Sequence, residues 1–147
     1  MKFSDFLAQQ NEKVQKEGAF DASAHIVKYQ ALISELYNKI DTEWLGEYVK
    51  SGQVKTGECT CSITEERLGT YQVQSKWIEI AGQRISIQPV GTILIGTDAR
   101  LDIGYQGKER MIIHCDNLWK LVDRRHRITY KVLDAKVFQN LLMDLMK

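Results

Sequence analysis

Between positions 76 and 115 apolar and polar residues alternate with a period of two, broken by turn signals, which predicts two successive hairpins. Gly82-Gln83 suits a two-residue loop whose first central position needs positive φ. That loop pairs Ile80 with Ile85 and Ile78 with Ile87, so all four isoleucines share a face. Glu79, Ser86 and Gln88 take the other. Pro89 lacks a ladder donor and Gly91 packs nothing, so the strand ends there. Thr92-Ile93-Leu94-Ile95 then reads as a short buried run closed by Gly96. The second hairpin turns at Gln106-Gly107-Lys108, a three-residue loop that sets Ala99, Leu101 and Ile103 opposite Cys115, Ile113 and Met111. A two-residue loop would set Ile103 against Arg110 and bury less. In the three-residue register Asp98, Arg100 and Asp102 share the reverse face with Ile112, His114 and Asp116.

The flanks of this region have a helical period. Ser4 or Asp5 can cap a first helix bearing Phe3, Phe6, Leu7 and Val14, with Gly18 as its end. A second starts near Asp21, and Ile26, Tyr29, Ile33, Leu36 and Ile40 form the stripe expected to cover a sheet. Trp44 and Tyr48 extend it toward Ser51-Gly52. From Val54 the period changes to two, with a turn between Glu66 and Gly69, and a parity change at Trp77-Ile78 suggests a bulge. Residues 118–132 predict one more hairpin around Asp123-Arg124-Arg125-His126, with Ile128, Tyr130 and Val132 inward. Asp134 is a suitable N-cap for the last helix, and Leu133 before it can staple onto Phe138.

The expected fold class is therefore α+β. An N-terminal helical pair and a C-terminal helix pack on one face of a mostly antiparallel sheet of about six strands. Residues 1–147 form a single domain, divided into a helical part (1–52), a sheet (53–133) and a C-terminal helix (134–147). Trp77, Ile78, Ile80, Ile85, Ile87, Ile93, Leu101, Ile103, Ile113, Leu141 and Leu142 are its expected core.

Composition narrows the function classes. The chain has 147 residues, 44% apolar and 27% charged, with a net charge of +1, so it exerts no global pull on nucleic acid or an anionic membrane. No apolar run approaches about 18 residues and no signal-peptide core opens the chain. Three cysteines, an odd count, argue against a disulfide scaffold. The expectation is a soluble cytoplasmic protein with free thiols, no membrane partner and an open oligomeric state.

Four features carry candidate chemistry. Cys59 and Cys61 share a strand face and with Cys115 or His114 offer zinc donors, but the paired Cys-x-x-Cys knuckles of structural zinc sites are missing. Asp98, Asp102, His114 and Asp116 would hold a divalent cation and a general base if they converge; otherwise they are cross-strand ion pairs on a solvated face. Asp134-Ala135-Lys136 resembles in spacing the Asp-x-Lys element of the restriction-endonuclease-like nucleases. Those also need an upstream acid, Asp102 or Asp116, and a strand after the helix, and capping already accounts for Asp134. Arg124, Arg125 and Arg127 make a basic hairpin beside Trp119, suited to phosphates or to an acidic protein. No phosphate loop, dinucleotide fingerprint or nucleophile elbow occurs, so no cofactor is expected. The reading these features support is a non-enzymatic protein-interaction protein of the immunity, antitoxin or accessory-subunit kind. Its binding residues would be Arg100, Asp102, His114, Arg124, Arg125 and Arg127 on one polar face, and its partner another protein. A metal-dependent hydrolase or nuclease, and a nucleic-acid binder, are the alternatives.

Overall fold

The computed structural model describes residues 2–92, 97–124 and 127–147, leaving out the side chains of residues 11–21. Three α-helices and one π-helical turn pack against a seven-stranded antiparallel sheet in an open α+β arrangement. The strands are β1 (Val54–Glu65), β2 (Gly69–Ile80), β3 (Gln83–Gly91), β4 (Ala99–Tyr105), β5 (Lys108–Cys115), β6 (Leu118–Asp123) and β7 (Thr129–Val132). They run in sheet order β1 to β7, a plain meander with one strand more than the pattern predicts. No helix among the described residues is long and apolar enough to cross a membrane.

The N-terminal pair is one helix. Helix α1 (Phe3–Lys39) runs through Gly18, whose cost of about 1 kcal/mol against alanine is too small to stop a helix flanked by good formers. Its inner stripe holds as expected: Tyr29, Ile33, Leu36, Tyr37 and Ile40 are buried in the core. Phe3, Phe6 and Leu7 are exposed, so the packed part of the helix is its C-terminal half. After it, Ile40–Trp44 forms a π-helical turn closed by the Leu45 N–H on the Ile40 carbonyl at 2.8 Å. Helix α2 (Gly46–Lys50) follows.

Helix α3 (Ala135–Met146) starts where its signals place it. Asp134 accepts the Val137 N–H at 2.8 Å, and Leu133 and Phe138 are both buried in the core. The Phe138 ring lies 5.2 Å from Trp44, and Gln139 donates to the Trp44 carbonyl at 2.8 Å, satisfying a helix-end acceptor. Thus α3 clamps the π-helical turn to the sheet.

Two hairpins differ from the expected registers. The β2–β3 loop is Ala81-Gly82, both with positive φ, and Ile78 rather than Ile80 faces Ile85. This shift by an even number of positions leaves all four isoleucines on the helix-covered, inner face. The β4–β5 loop is the two-residue Gln106-Gly107, also of positive φ, which pairs Leu101 with Ile112 and Ala99 with His114. Here the difference is odd, so β5 is turned over. Ile112 and His114 face inward, while Met111 and Ile113 face outward. No bulge interrupts the β1–β2 register; instead buried positions change parity at Ser75-Lys76, where β2 outruns β3 and continues paired with β1 alone.

Of the expected core, Ile78, Ile85, Ile87, Leu101, Ile103, Leu141 and Leu142 are buried in one cluster. Ile80 is half-buried at its rim. Ile93 lies outside the described residues. Trp77 is half-buried on the outer face, where its ring occupies the space a side chain at Gly57 would need and stacks 4.1 Å beneath the Arg84 guanidinium. Ile113 is buried but outside that cluster.

Candidate functional site

The sheet face turned away from the helices is built from cross-strand rows. One row runs Gln88, Asp102, Met111, Val122, Tyr130 from β3 to β7. The next runs Arg100, Ile113, Lys120, Val132 from β4 to β7. Ile113 and Val122 are only 4% and 5% exposed, yet neither belongs to the helix-covered core. Each is flanked by longer side chains of its own row, so this face buries a small apolar patch of its own. Tyr130 and Val132, expected inward, are exposed at 57% and 49%, because both fall on the outer rows at the sheet edge. Ile128, also expected inward, is exposed too.

Beside the patch lies a depression of about 350 Å³ lined by Arg100, Asp102, Glu109, Met111, Val122 and Arg124. Arg100 Nε donates to Asp102 Oδ1 at 3.3 Å, and Arg124 reaches across to the Met111 sulfur at 3.8 Å. Three of the sequence-predicted binding residues, Arg100, Asp102 and Arg124, therefore do meet. Arg127 is exposed just before β7. Arg125 lies outside the described residues. His114 does not belong: the turned-over β5 carries it to the inner face, 5% exposed.

The four acidic-face candidates are likewise divided. Asp98 meets His114, its Oδ2 being 3.1 Å from Nδ1, and Lys28 of α1 stands 3.4 Å from Oδ1. The carboxylate holds the Nδ1 proton and so orients the imidazole, whose edge packs on Trp119 with ring centroids 4.9 Å apart. Asp102 is on the opposite face of the sheet. Asp116 sits in the exposed Asp116-Asn117 turn and contacts Lys120 at 3.5 Å. Among the described residues no three His, Cys, Asp or Glu side chains are placed to share a metal ion.

Asp98 also gives a pH expectation. Burial alone raises its carboxyl, but the His114 hydrogen bond and the Lys28 ammonium outweigh this and hold it below the ordinary carboxylate value. The folded pKa is thus below the unfolded one. The resulting stability is present above the unfolded pKa, near pH 4, and is lost as pH falls through the folded value. Asp98→Asn is expected to flatten the acid limb of the stability profile, checked by urea unfolding between about pH 2 and pH 5. An unchanged limb would show that Asp98 contributes nothing to it.

No family model, curated protein or solved structure matches the chain. The outer face must therefore be read from its chemistry alone. Beside its apolar centre the depression carries both signs, with Arg100, Arg110 and Arg124 set among Asp102, Glu109 and Asp123. Sequence reasoning missed Met111, Val122, Tyr130 and Val132, because alternation on both sides of β5 and β7 is compatible with either parity. A further groove of about 460 Å³, mostly apolar, lies between α2, α3 and the β1–β2 end, lined by Leu45, Tyr48, Val54, Ile80, Leu142 and Met143.

Proposed function

We propose that this chain is a non-enzymatic protein-interaction protein, acting as an immunity protein, an antitoxin-like neutraliser or an accessory subunit, and that the outer sheet face is its contact surface. The observation that carries this reading is the sheet face turned away from the helices, where exposed Tyr130 and Val132 continue the rows of Met111, Val122 and Ile113 beside Arg100, Lys120 and Arg124. Interfaces of moderate size have this make-up: apolar and aromatic residues, with Met and Arg enriched, inside a charged rim. The border carries both signs, and Arg124 and Arg127, exposed at its end, steer an acidic segment of the partner, which affects association rate more than final affinity. Its setting is the cytoplasm, which three cysteines outside any disulfide fit. The hydrolase reading loses ground because the sheet separates Asp102 from Asp98 and His114.

The test is affinity capture from the native host with folded variants. Arg100→Glu with Arg124→Glu is expected to reduce recovery of a specific protein on the order of tenfold, with an unchanged circular-dichroism spectrum. Recovery that ignores both substitutions would remove the proposal. Salt-sensitive retention on DNA, lost in the same variant, would replace it with nucleic-acid binding.

A further inference from the structure

The β7 edge narrows the kind of partner. Leu133 donates its N–H to the Trp119 carbonyl at 2.9 Å, which fixes which backbone groups of β7 face β6. In an antiparallel ladder these alternate, so Thr129 and Lys131 bond inward while the N–H and C=O of Tyr130 and Val132 point out of the sheet. Among the described residues nothing in the sheet lies beyond β7. The side chains divide in the same way. Tyr130 and Val132 stand on the outer face in line with Val122 and Lys120, and Lys131 stands on the other face in line with Leu121. Arg124, Arg127 and Lys131 are exposed here, and none forms an ion pair among the described residues, although Asp123 and Asp144 line the depression beside Lys131.

We infer that β7 is a docking edge for an extended acidic segment of a partner protein, which adds to the sheet as an eighth strand. An incoming strand with alternating apolar and acidic residues satisfies both sides at once. Its apolar residues extend the Met111–Val122–Tyr130 row, and its carboxylates, which alternate to the other face, reach Lys131. The outward groups of Tyr130 and Val132 supply the main-chain hydrogen bonds, which give such strand additions their affinity. A second copy of this chain is a poor occupant through the same edge, because antiparallel β7–β7 pairing brings Lys131 close to its own copy. This inference rests on the outer-face reading above and specifies the partner of that surface.

The probe is a short synthetic peptide alternating valine and glutamate, titrated into isotope-labelled protein with amide exchange followed by NMR. The amides of Tyr130 and Val132, exchanging fast in the free protein, should become protected, while those of Thr129 and Lys131 are protected throughout. A valine–lysine peptide should bind at least about tenfold more weakly, and a proline-interrupted peptide should leave both amides unprotected. Val132→Pro removes an outward donor without touching the ladder to β6, so the variant should keep its fold and lose the glutamate peptide. Equal response to the two charged peptides, or protection that rises with protein concentration alone, would overturn the inference. Host-protein capture lost in the Arg100→Glu, Arg124→Glu variant but kept in Val132→Pro would leave the contact face standing and remove strand addition alone.

Discussion

Asp41→Asn should destabilise the protein by about 3 kcal/mol, the scale for leaving a buried charge without its partner. The pair arises where the π-helical turn meets β2. Lys76 is one of the few charged side chains fully inside, 1% exposed, with Nζ 2.9 Å from the Asp41 carboxylate and 5.3 Å from the centre of the Tyr37 ring. Thr56 of β1 donates to the same carboxylate at 2.8 Å. The hydrogen bond that closes the turn presenting Asp41 spans one residue more than in an α-helix, and such turns recur at positions with a special task. Lys76→Met keeps the packing against Tyr37 and leaves Asp41, which is partly exposed, to Thr56 and water. It should therefore cost clearly less than Asp41→Asn. The double variant should unfold close to Lys76→Met alone, since the buried unpaired ammonium is then gone. Urea unfolding of the three variants makes the comparison. An Asp41→Asn change within about 0.5 kcal/mol would mean that the pair contributes no more than a surface contact.

The parts of the fold that were legible share one property: parity or helical period alone determines them. The isoleucine face of β2 and β3 survived a wrong loop because the difference was even. The α3 start was readable because capping and the Leu133–Phe138 staple are local. The errors lie where the turn type decided the register. Ala81-Gly82 and Gln106-Gly107 both adopt the left-handed pair of a type I′ loop, which matches strand twist, with a non-glycine first residue at φ 52° and 48°. Favouring the register that buries Ile113 against Leu101 overlooked that Arg110 lies near the strand end, where its head still reaches water. That single residue of loop length moved His114 inward and Met111 outward. The candidate site was thus half legible: Arg100 and Asp102 on β4 did not depend on it, and everything on β5 did.

Between pH 9 and pH 11 the protein should lose about 4 kcal/mol of stability, a large share of the roughly 5–15 kcal/mol of a typical domain. Three buried tyrosines produce the loss. Tyr29 donates to the Arg100 carbonyl at 3.0 Å, Tyr37 to the Gln74 carbonyl at 2.6 Å and Tyr71 to Glu65 Oε2 at 2.7 Å. Burial pushes each phenol far above its ordinary value, and for Tyr71 the hydrogen bond to Glu65 adds to it. All three hydroxyls must keep their protons to remain donors. The folded pKa is raised, so the stability is complete below the unfolded value near pH 10 and is lost as pH rises above it. Each tyrosine contributes about 1.4 kcal/mol for the first unit above that value. Urea midpoints at pH 9 and 11, with tyrosinate absorbance recorded in parallel, provide the measurement. Tyr37→Phe should reduce the alkaline loss by about one third while lowering neutral stability by about 1 kcal/mol through its missing hydrogen bond. Absorbance showing all six tyrosines ionised while the chain remains folded would contradict the burial assigned to these three.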